Sequence, residues 1–582
     1  MTSENNEKQA AGVVDILQND SILGPEWVSL YETDISFSTE HFETAMSNLI
    51  KQPNINSTVI LRADILIENT YAYPSKQDGE GEKGEENEEN ESPVVNKFRS
   101  ELADTKPDIP TSSTDEVILE KNLDDIDVRD IPLQPTHRPK VQIVRRIVPR
   151  NPFKDYIINQ TCLITQLKSN ESPSQDYDST LIVYTPHIDN VEDCPFYLPS
   201  VQTVGILHQP GKLSVHYIPF KSSTVADFRS LSQENRDIRI AFRLLQTAKK
   251  HSTGVMDGYQ KRVKHDLVVS KVAFQDRYIS LKKKYSKILV DNWVESTDPG
   301  KHVFEDIAIA AFLIELWSKI YPTKEEFEFR DLGCGNGLLV HLLISEGYKG
   351  VGIDARARKS WKVYPENVQE NLKEQVIIPS VLLRPHPSVK ALAPTLTDNG
   401  RVFQVPVSNQ GLLDSDPDVP VIAYYSSASL LKSNKVNVTE FPSNTFIIGN
   451  HSDELTCWIP LLGYPFLVIP CCSHALSGAR VRFPTKRKTN QQNQANPKQG
   501  KVNSAYAGLV DHVEHLASEI GWKVEKEMLR IPSTRNAAII GYQCDTSKHV
   551  TKSVYDLLVM EGGAEGWVEN TMALTAKNPR NH

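Results

Sequence analysis

The sequence contains no run of about 18 consecutive apolar residues, so it predicts no membrane-spanning helix. It has seven cysteines in 582 residues, and no two of them form a C-x-x-C pair. An odd, scattered set of this kind excludes a disulfide framework and indicates a reducing compartment. The polar, acidic stretch 1–7 is unlike a secretory or mitochondrial leader. These absences predict a cytoplasmic protein that does not bind a membrane.

Charge is distributed unevenly along the chain, although its net value of −10 would by itself argue against nucleic-acid binding. Residues 78–91 are almost entirely Glu, Gly and Asn and predict a disordered acidic insert, because they cannot bury an apolar surface. The segment 480–501 has the opposite bias, with seven Lys and Arg residues and no acid. It predicts a flexible loop that binds phosphate, and a disordered surface loop without a ligand is the alternative.

One strand–turn–helix–strand unit organises the second half of the chain. Residues 327–332 alternate and then become apolar, as a strand entering a buried sheet does. A glycine-rich turn at 333–337 follows, and the apolar run 338–344 predicts a buried helix. The segment 350–354 predicts a second strand, which ends in an acid. This βαβ unit is typical of folds that bind adenosine cofactors.

The spacing of the glycines indicates which cofactor is bound. The turn has the pattern D-x-G-x-G-x-G, with Asp331 two residues before Gly333 and Asp354 17 residues after Gly337. A dinucleotide fold requires G-x-G-x-x-G, and Asp331 would repel a diphosphate but attract the ammonium group of S-adenosylmethionine. The pattern predicts a methyltransferase, with NAD(P) binding and a turn without a ligand as alternatives. The expected cofactor contacts are Asp331, Gly333, Gly335, Gly337, Asp354 and Asn450.

Further strands complete the predicted sheet. Residues 445–449 and 465–469 are apolar and end in polar groups, and 522–531 and 536–541 predict antiparallel closing strands. Residues 401–405 are the best candidate for one more strand of the sheet. The expected fold class is α/β: a Rossmann-like class I methyltransferase domain with a doubly wound, mostly parallel sheet. An N-terminal α+β extension and disordered inserts are expected in addition.

Basic elements upstream of the βαβ unit have alternative interpretations. The segment 140–148 predicts a basic strand. Arg145, Arg146, Arg150 and Lys154 either contact phosphates or guard a solvated sheet edge. The helical stretch 259–293 carries nine Lys and Arg residues. It either follows an RNA backbone or exposes a solvated face. Residues 302–321 are mostly apolar and predict a buried helix packed on the sheet.

Polar groups follow the strands at the carboxyl edge of the predicted sheet. His451, Asp453 and His474 are candidate proton acceptors, and a structural role is the alternative for either histidine. Cys471 and Cys472 permit a zinc site, a covalent cysteine or a non-covalent turn at the substrate entrance. We favour the turn and predict no metal. Methyl transfer depends mainly on in-line placement of the nucleophile and the sulfonium, so a strong base is not required.

Basic residues at this edge predict a polyanionic substrate. The expected substrate contacts are Arg356, Arg358, Lys359, Cys471, Cys472, Arg480, Arg482, Lys486, Arg487 and Lys488.

Short blocks between Gly258 and Gly541 carry a resemblance to a known family. They lie at 258–266, 297–307 (TDPGKHVFEDI), 331–337, 352–356, 450–454 (NHSDE), 469–474 (IPCCSH) and 531–536. The chain resembles the eukaryotic tRNA (uracil-2′-O-)-methyltransferases that act on uridine 44 of serine tRNA. The glycine turn is common to most methyltransferases, whereas the blocks at 297–307 and 450–474 are far more specific.

The resemblance implies S-adenosylmethionine-dependent methylation of a ribose 2′-hydroxyl in cytoplasmic serine tRNA, with neither DNA nor a membrane as partner. It also implies a substrate contact from Arg535 and suggests Lys301 and Asp453 as members of the Lys-Asp-Lys-Glu set that many ribose methyltransferases use. Two other hypotheses remain: a methyltransferase acting on a base or a protein, and a catalytically silent RNA-binding protein.

The chain is expected to divide into four parts. These are an N-terminal variable region (1–139) with its acidic insert near 76–92, a family-specific α+β and helical region (140–325), a cofactor-binding methyltransferase domain (326–545) with its basic loop (480–501), and a C-terminal tail (546–582).

Overall fold

The computed structural model describes residues 12–73, 93–105, 123–131, 137–151, 155–168, 177–259, 265–407, 421–484, 504–544 and 552–574. The chain divides into two compact units, Met1–Lys261 and Arg262–His582. None of the helices in the described ranges combines the length and apolar character needed to cross a membrane. The seven cysteines, all within these ranges, are free thiols.

The first unit is built on an antiparallel sheet of nine strands. The strands are β1 (Val13–Asp15), β2 (Val28–Asp34), β3 (Ile60–Ala72), β4 (Val94–Arg99), β5 (Arg138–Pro149), β6 (Ile158–Leu167), β7 (Ser179–Pro186), β8 (Thr203–Gln209) and β9 (Lys212–Ile218). Their order in the sheet is β1-β2-β9-β8-β7-β6-β5-β3-β4. The sheet therefore takes strands from both sides of residue 139.

Helices cover this sheet and close its core. They are α1 (Thr39–Lys51), α2 (Val225–Arg229) and α3 (Arg236–Met256). Ile238, Ala241, Leu245 and Ala248 are buried along α3 at helical spacing and pack with residues of α1, β2 and β9. The hydrophobic core of the unit thus lies between the sheet and its two long helices.

The basic strand predicted at 140–148 is an interior strand of this sheet, so both interpretations of its arginines are wrong. Strand β5 pairs with β3 on one side and β6 on the other. Arg145 donates to Oε1 of Gln160 at 2.7 and 3.0 Å, and Arg146 donates to the carbonyl of Thr105 at 2.8 Å. Both guanidinium groups are buried. They satisfy internal hydrogen-bond acceptors and are not exposed to bind phosphate.

The second unit contains a seven-stranded sheet and two short strand pairs. Its strands are β10 (Glu328–Leu332), β11 (Gly350–Asp354), β12 (Leu372–Glu374), β13 (Val376–Ile377), β14 (Val402–Val407), β15 (Val421–Ser426), β16 (Val436–Asn437), β17 (Thr445–Asn450), β18 (Phe466–Ile469), β19 (Trp522–Met528) and β20 (Ala537–Cys544). Its helices are α4 (Lys271–Asp291), α5 (Pro299–Ile320), α6 (Leu338–Ser345), α7 (Glu366–Gln369), α8 (Pro387–Leu392), α9 (Ser427–Lys432), α10 (Ala505–Glu519), α11 (Val554–Met560) and α12 (Trp567–Ala573).

The main sheet has the order β12-β11-β10-β17-β18-β20-β19. Strands β12 to β18 in this order are parallel. Strand β20 pairs antiparallel with β18, and β19 pairs antiparallel with β20, so 522–531 and 536–541 supply the antiparallel closing pairs as predicted. From β10 the chain passes to β11 and β12 on one side of β10. It then returns to the other side of β10, where β17 and β18 follow. The order of the strands therefore reverses between β10 and β17, and a crevice forms at such a point.

Both faces of the main sheet are covered. Phe446 and Ile448 of β17 pack on one face with α5 and α6, whereas Ile447 packs on the other face with α10. This alternation is the period of two expected for a strand buried on both sides. The buried helix predicted at 302–321 is confirmed as α5.

The predicted place of one strand in the main sheet was wrong. Residues 401–405 do not enter the main sheet, because Val402–Val407 pairs with Val421–Ser426 in a separate hairpin. The main sheet instead uses Leu372–Glu374, a segment of three residues that lies beside β11. So short a strand has too few residues to show a periodic pattern in the sequence.

Candidate active site

The glycine turn joins β10 to α6 through left-handed residues. Gly333, Gly335 and Gly337 have φ angles of 78°, 54° and 74°, which residues with a side chain rarely adopt. A Cβ atom on Gly337 would lie 3.0 Å from Cδ2 of Leu372 and 3.3 Å from Nε1 of Trp361. Position 337 therefore requires glycine both for its backbone angle and for space.

Asp354, the last residue of β11, holds this turn. Its Oδ2 accepts a hydrogen bond from the amide of Gly335 at 3.0 Å, and its Oδ1 accepts one from the amide of Arg356 at 3.1 Å. Burial raises the pKa of the Asp354 carboxyl, and the two amide hydrogen bonds oppose this rise. The side chain also lines a cavity, so an acid stands at the position expected for ribose binding.

Helix α5 reaches the loop after β17 through two adjacent acids. Oε1 of Glu305 lies 3.2 Å from Nε2 of His451, and Nδ2 of Asn450 donates to Oδ1 of Asp306 at 3.1 Å. His451 and Asp453 have φ angles of 52° and 42°. Positive angles are uncommon for residues with a side chain and concentrate at functional sites. The helix therefore fixes the last side chain of β17 and the first side chain of the strained loop that follows it.

Buried carboxyl groups cluster at the junction of α5, β10 and β17. Burial, aided by the charge of Glu305, raises the pKa of Asp306 to about 7. Burial also raises the pKa of Asp331 well above its usual range, and the charges of Asp306 and Asp354 add to this effect. Within the described part of the chain, Oδ1 of Asp331 and Oδ1 of Asn450 are buried without a hydrogen-bond partner. A cationic ligand would compensate these groups, so the site fits S-adenosylmethionine and opposes a diphosphate.

The cysteine pair after β18 lies beside the same loop. Sγ of Cys471 donates to Oδ1 of Asp453 at 2.9 Å, and Nη1 of Arg535 donates to Sγ of Cys472 at 3.5 Å. The ligand atoms of Asp453 and both cysteines lie within 4.8 Å of one another, close enough to consider a metal. However, burial and then Asp453 raise the pKa of the Cys471 thiol. A protonated thiol is a weak nucleophile and a weak metal ligand, which favours the non-covalent turn.

A cavity of about 1020 Å³ lies at the carboxyl ends of the parallel strands. It brings together residues from distant parts of the second unit. The predicted site residues that line it are Lys301, Gly333, Gly335, Asp354, Arg356, Arg358, Asn450, His451, Asp453, Cys471, Arg480 and Arg535.

Other predicted site residues lie apart from the lining of this cavity. Gly337 precedes α6, and the carboxylate of Asp331 is buried at the end of β10. His474 is only 5% exposed, and its Nδ1 is buried without a partner among the described residues. The structure also places Lys359, Cys472 and Arg482 outside the lining. Lys486, Arg487 and Lys488 lie outside the described residues.

Two parts of the cavity wall were not identified from the sequence. Glu305 and Asp306 come from α5, and the available signal was a pair of acids inside an otherwise apolar helix. Trp567 and Asn570 come from α12, where the sequence indicates only a short helix and a polar tail. Nε1 of Trp567 donates to the carbonyl of Ile377 at 3.2 Å, which fixes α12 against β13.

Two protein families match separate parts of the chain. Residues 5–262 match a family described as TRM44-like, N-terminal bet v1-like domain, and residues 268–379 match a predicted AdoMet-dependent methyltransferase family. The second match includes α5, the glycine turn and Asp354.

Proteins named tRNA (uracil-O(2)-)-methyltransferase are similar over nearly the whole length. The Saccharomyces cerevisiae protein is 55% identical, over 100% of this chain and 98% of its own. The Kluyveromyces lactis protein is 56% identical (97% and 98% covered), and the Schizosaccharomyces pombe protein is 35% identical (96% and 94% covered). The chain belongs to the tRNA (uracil-O(2)-)-methyltransferase family.

Membership of the tRNA (uracil-O(2)-)-methyltransferase family confirms the sequence resemblance and the cofactor. The chain combines an N-terminal bet v1-like domain with an AdoMet-dependent methyltransferase domain, and both have mixed α and β structure. S-adenosylmethionine is the cofactor, which the buried acids of the second unit fit.

Proposed function

We propose that this member of the tRNA (uracil-O(2)-)-methyltransferase family methylates the ribose 2′-hydroxyl of uridine 44 in serine tRNA. The observation that carries the proposal is the pair of orphaned buried oxygens, on Asp331 and Asn450, beside a glycine turn. These groups suit a cationic methyl donor. The choice of serine tRNA and of position 44 rests on the sequence resemblance, chiefly at 297–307 and 450–474.

The second unit is proposed to be a Rossmann-like class I methyltransferase domain. Its strand order, with the reversal between β10 and β17, supports this assignment. The cavity at the carboxyl ends of the strands also supports it, because ligands of such sheets bind there. A cytoplasmic location is proposed as well, and the seven free cysteines agree with a reducing compartment.

Residues at the ends of β10, β11 and β17 would hold the cofactor. Asp354 would accept hydrogen bonds from the ribose hydroxyls, and the orphaned oxygens of Asp331 and Asn450 would accept from the ammonium group. The positive φ angles of Gly333 and Gly335 allow the main chain to approach the ligand. When bound, S-adenosylmethionine supplies an electrophilic methyl group on a positively charged sulfur.

The tRNA is proposed to bind at the basic rim of the cavity. Arg356, Arg358, Arg480 and Arg535 line it, and their guanidinium groups suit phosphate oxygens. The remaining proposed substrate contacts are Lys359, Cys471, Cys472, Arg482, Lys486, Arg487 and Lys488.

His451 is the proposed proton acceptor for the 2′-hydroxyl. It lines the cavity, and its ring nitrogen Nδ1 is buried and makes no hydrogen bond in the described structure. Asp453 already accepts a hydrogen bond from Cys471, and His474 lies outside the lining. Lys301 also lines the cavity, but an ammonium group must first lose a proton before it can accept one.

Mass spectrometry of modified nucleosides tests the reaction. Purified protein is incubated with S-adenosylmethionine and with serine tRNA transcripts carrying either uridine or deoxyuridine at position 44. We expect 2′-O-methyluridine from the first transcript only. An alkali-resistant dinucleotide separates a ribose methyl from a base methyl.

Three other outcomes would contradict the proposal in different ways. A methylated base would favour the base-methyltransferase alternative, and equal methylation of a leucine tRNA would remove the serine specificity. Binding of tRNA without binding of S-adenosylmethionine, measured by calorimetry, would favour a silent RNA-binding protein.

A further inference from the structure

Helix α5 contains a pair of buried acids that its packing does not explain. Residues 307–314 are all buried, and the helix is apolar around Glu305 and Asp306. Glu305 is 6% exposed and Asp306 is 8% exposed. Burying a carboxylate is unfavourable unless it is paired, so these side chains require a specific role.

The two acids bind two consecutive residues, the last residue of β17 and the first residue of the loop that follows it. Asp306 contacts the side chain of Asn450 at 3.1 Å, and Glu305 contacts that of His451 at 3.2 Å. Asn450 is a proposed cofactor contact and His451 is the proposed proton acceptor. Through Asp306 the helix thus fixes a residue that is proposed to contact the methyl donor. Through Glu305 it fixes the residue that is proposed to accept the proton.

The contact with Glu305 selects one tautomer of His451. A carboxylate accepts hydrogen bonds, so Nε2 carries the proton that faces Oε1 of Glu305. Nδ1 then carries the lone pair. It is buried without a hydrogen-bond partner in the part of the chain that the structure describes, and a buried acceptor left unpaired in this way requires a partner from outside the protein. A carboxylate that orients an imidazole in this way also stabilises the imidazolium formed when Nδ1 accepts a proton.

We propose that Glu305 is a positioning residue that fixes the tautomer of His451 and stabilises its protonated form during methyl transfer. This inference rests on the proposed function of His451. The 2′-oxygen forms a bond to the methyl carbon, and the carbon–sulfur bond breaks with its electron pair kept by sulfur. The hydroxyl proton passes to Nδ1 of His451. Glu305 contacts neither substrate nor cofactor in this step and acts through the ring.

A double-mutant cycle in the full-length protein tests the inference. The variants are Glu305→Gln, His451→Ala and both together, with Glu315→Gln as the matched control. Glu315 lies on the same helix and is paired with Arg277 at 2.8 Å instead of the loop. For each variant we measure kcat and KM with serine tRNA, S-adenosylmethionine affinity by calorimetry, and the thermal midpoint.

We expect kcat to fall about 100-fold in His451→Ala, because the general base is lost. In Glu305→Gln we expect a fall of about 10-fold, because the base is kept but is no longer oriented by a carboxylate. The double variant should be no slower than His451→Ala, because Glu305 acts through that ring. Cofactor affinity in Glu305→Gln should stay within about twofold of the unaltered protein. Glu315→Gln should keep the unaltered kcat.

Several results would overturn the inference. If Glu305→Gln turns over as fast as Glu315→Gln, or if its effect multiplies with that of His451→Ala, then Glu305 does not act through His451. An unaltered rate in His451→Ala alone would instead refute the proton acceptor, and with it this role of Glu305. If Glu305→Gln does not fold, Glu305→Asp replaces it. That variant keeps the charge but shortens the reach, and the same lack of additivity is expected.

Discussion

Buried charged residues in this protein belong to two kinds. In the first unit, Arg145 and Arg146 donate to amide and carbonyl oxygens, so their charges are internally satisfied. In the second unit, Asp331 keeps one buried oxygen without a partner among the described residues. A satisfied charge stabilises a fold, whereas a buried carboxyl group with an unsatisfied oxygen indicates a place for a ligand that would complete it.

Replacement of Asp354 by Ala should weaken S-adenosylmethionine binding by about 1–3 kcal/mol, because hydrogen bonds to the ribose hydroxyls are lost. Calorimetry measures the change. Glu374→Ala is the control, since that acid is exposed at the end of β12, beside β11. Equal affinities in all three proteins would refute the assigned role of Asp354.

Asp306 should make the stability of the ligand-free protein depend on pH. Its pKa is raised from 3.8 to about 7, so the folded protein binds this proton more tightly than the unfolded chain. Its contribution to stability is therefore complete below about pH 4 and is lost as the pH rises towards 7.

The variant Asp306→Asn should consequently gain stability relative to the unaltered protein between about pH 4 and pH 7, with no further gain above that range. Urea denaturation of both proteins at a series of pH values measures their free energies of unfolding. In the difference between the two values, the contributions of groups that titrate alike in both proteins cancel. A difference that is constant with pH would contradict the raised pKa.

At the scale of elements, the start of α6 depends on the close approach of β12. Gly337 and Gly400 have nearly the same φ, 74° and 72°. A Cβ atom on Gly337 would meet Leu372 at 3.0 Å, whereas one on Gly400 would meet nothing within 4 Å. This pair separates the effect of the backbone angle from that of packing.

Gly400→Ala should reduce the free energy of unfolding by about 1 kcal/mol through its backbone angle alone. Gly337→Ala should reduce it by more, because the added methyl group also displaces Leu372 or Trp361. Urea denaturation measures both changes. Equal losses would mean that β12 moves aside without a penalty.

At the scale of the whole molecule, RNA binding should depend on the basic segment 480–501. Replacing its Lys and Arg residues by Gln should reduce the slope of log K against log salt by about 0.7–0.9 for each phosphate contact removed. Filter binding of serine tRNA at several salt concentrations measures the slope. Residues beyond 484 in this segment lie outside the described part of the chain.

Lys432 and Lys435, which are exposed and do not line the cavity, provide the control for this experiment. Their replacement by Gln should leave the slope unchanged. If the slope also stays unchanged when the segment 480–501 is neutralised, the segment does not contact RNA. The basic face of α4 would then be the next candidate.

The sequence by itself determined the cofactor class and most of the main sheet. The glycines and the acid at 331–337 lie within 25 residues of Asp354 in the chain, so their geometry follows from one local βαβ unit. The strands at 445–449 and 465–469 were predictable because they are continuous apolar runs. The domain boundaries expected at 139, 325 and 545 stay predictions.

Only the tertiary structure decided which side chains meet at the cavity. Glu305 and His451 are separated by 146 residues and come together because α5 packs on the sheet beside the end of β17. In the sequence, Glu305 is one acid in an apolar helix, and Arg145 is one cation in a strand. Burial, hydrogen-bond partners and raised pKa values arise from packing between distant segments, which a local pattern of residues does not encode.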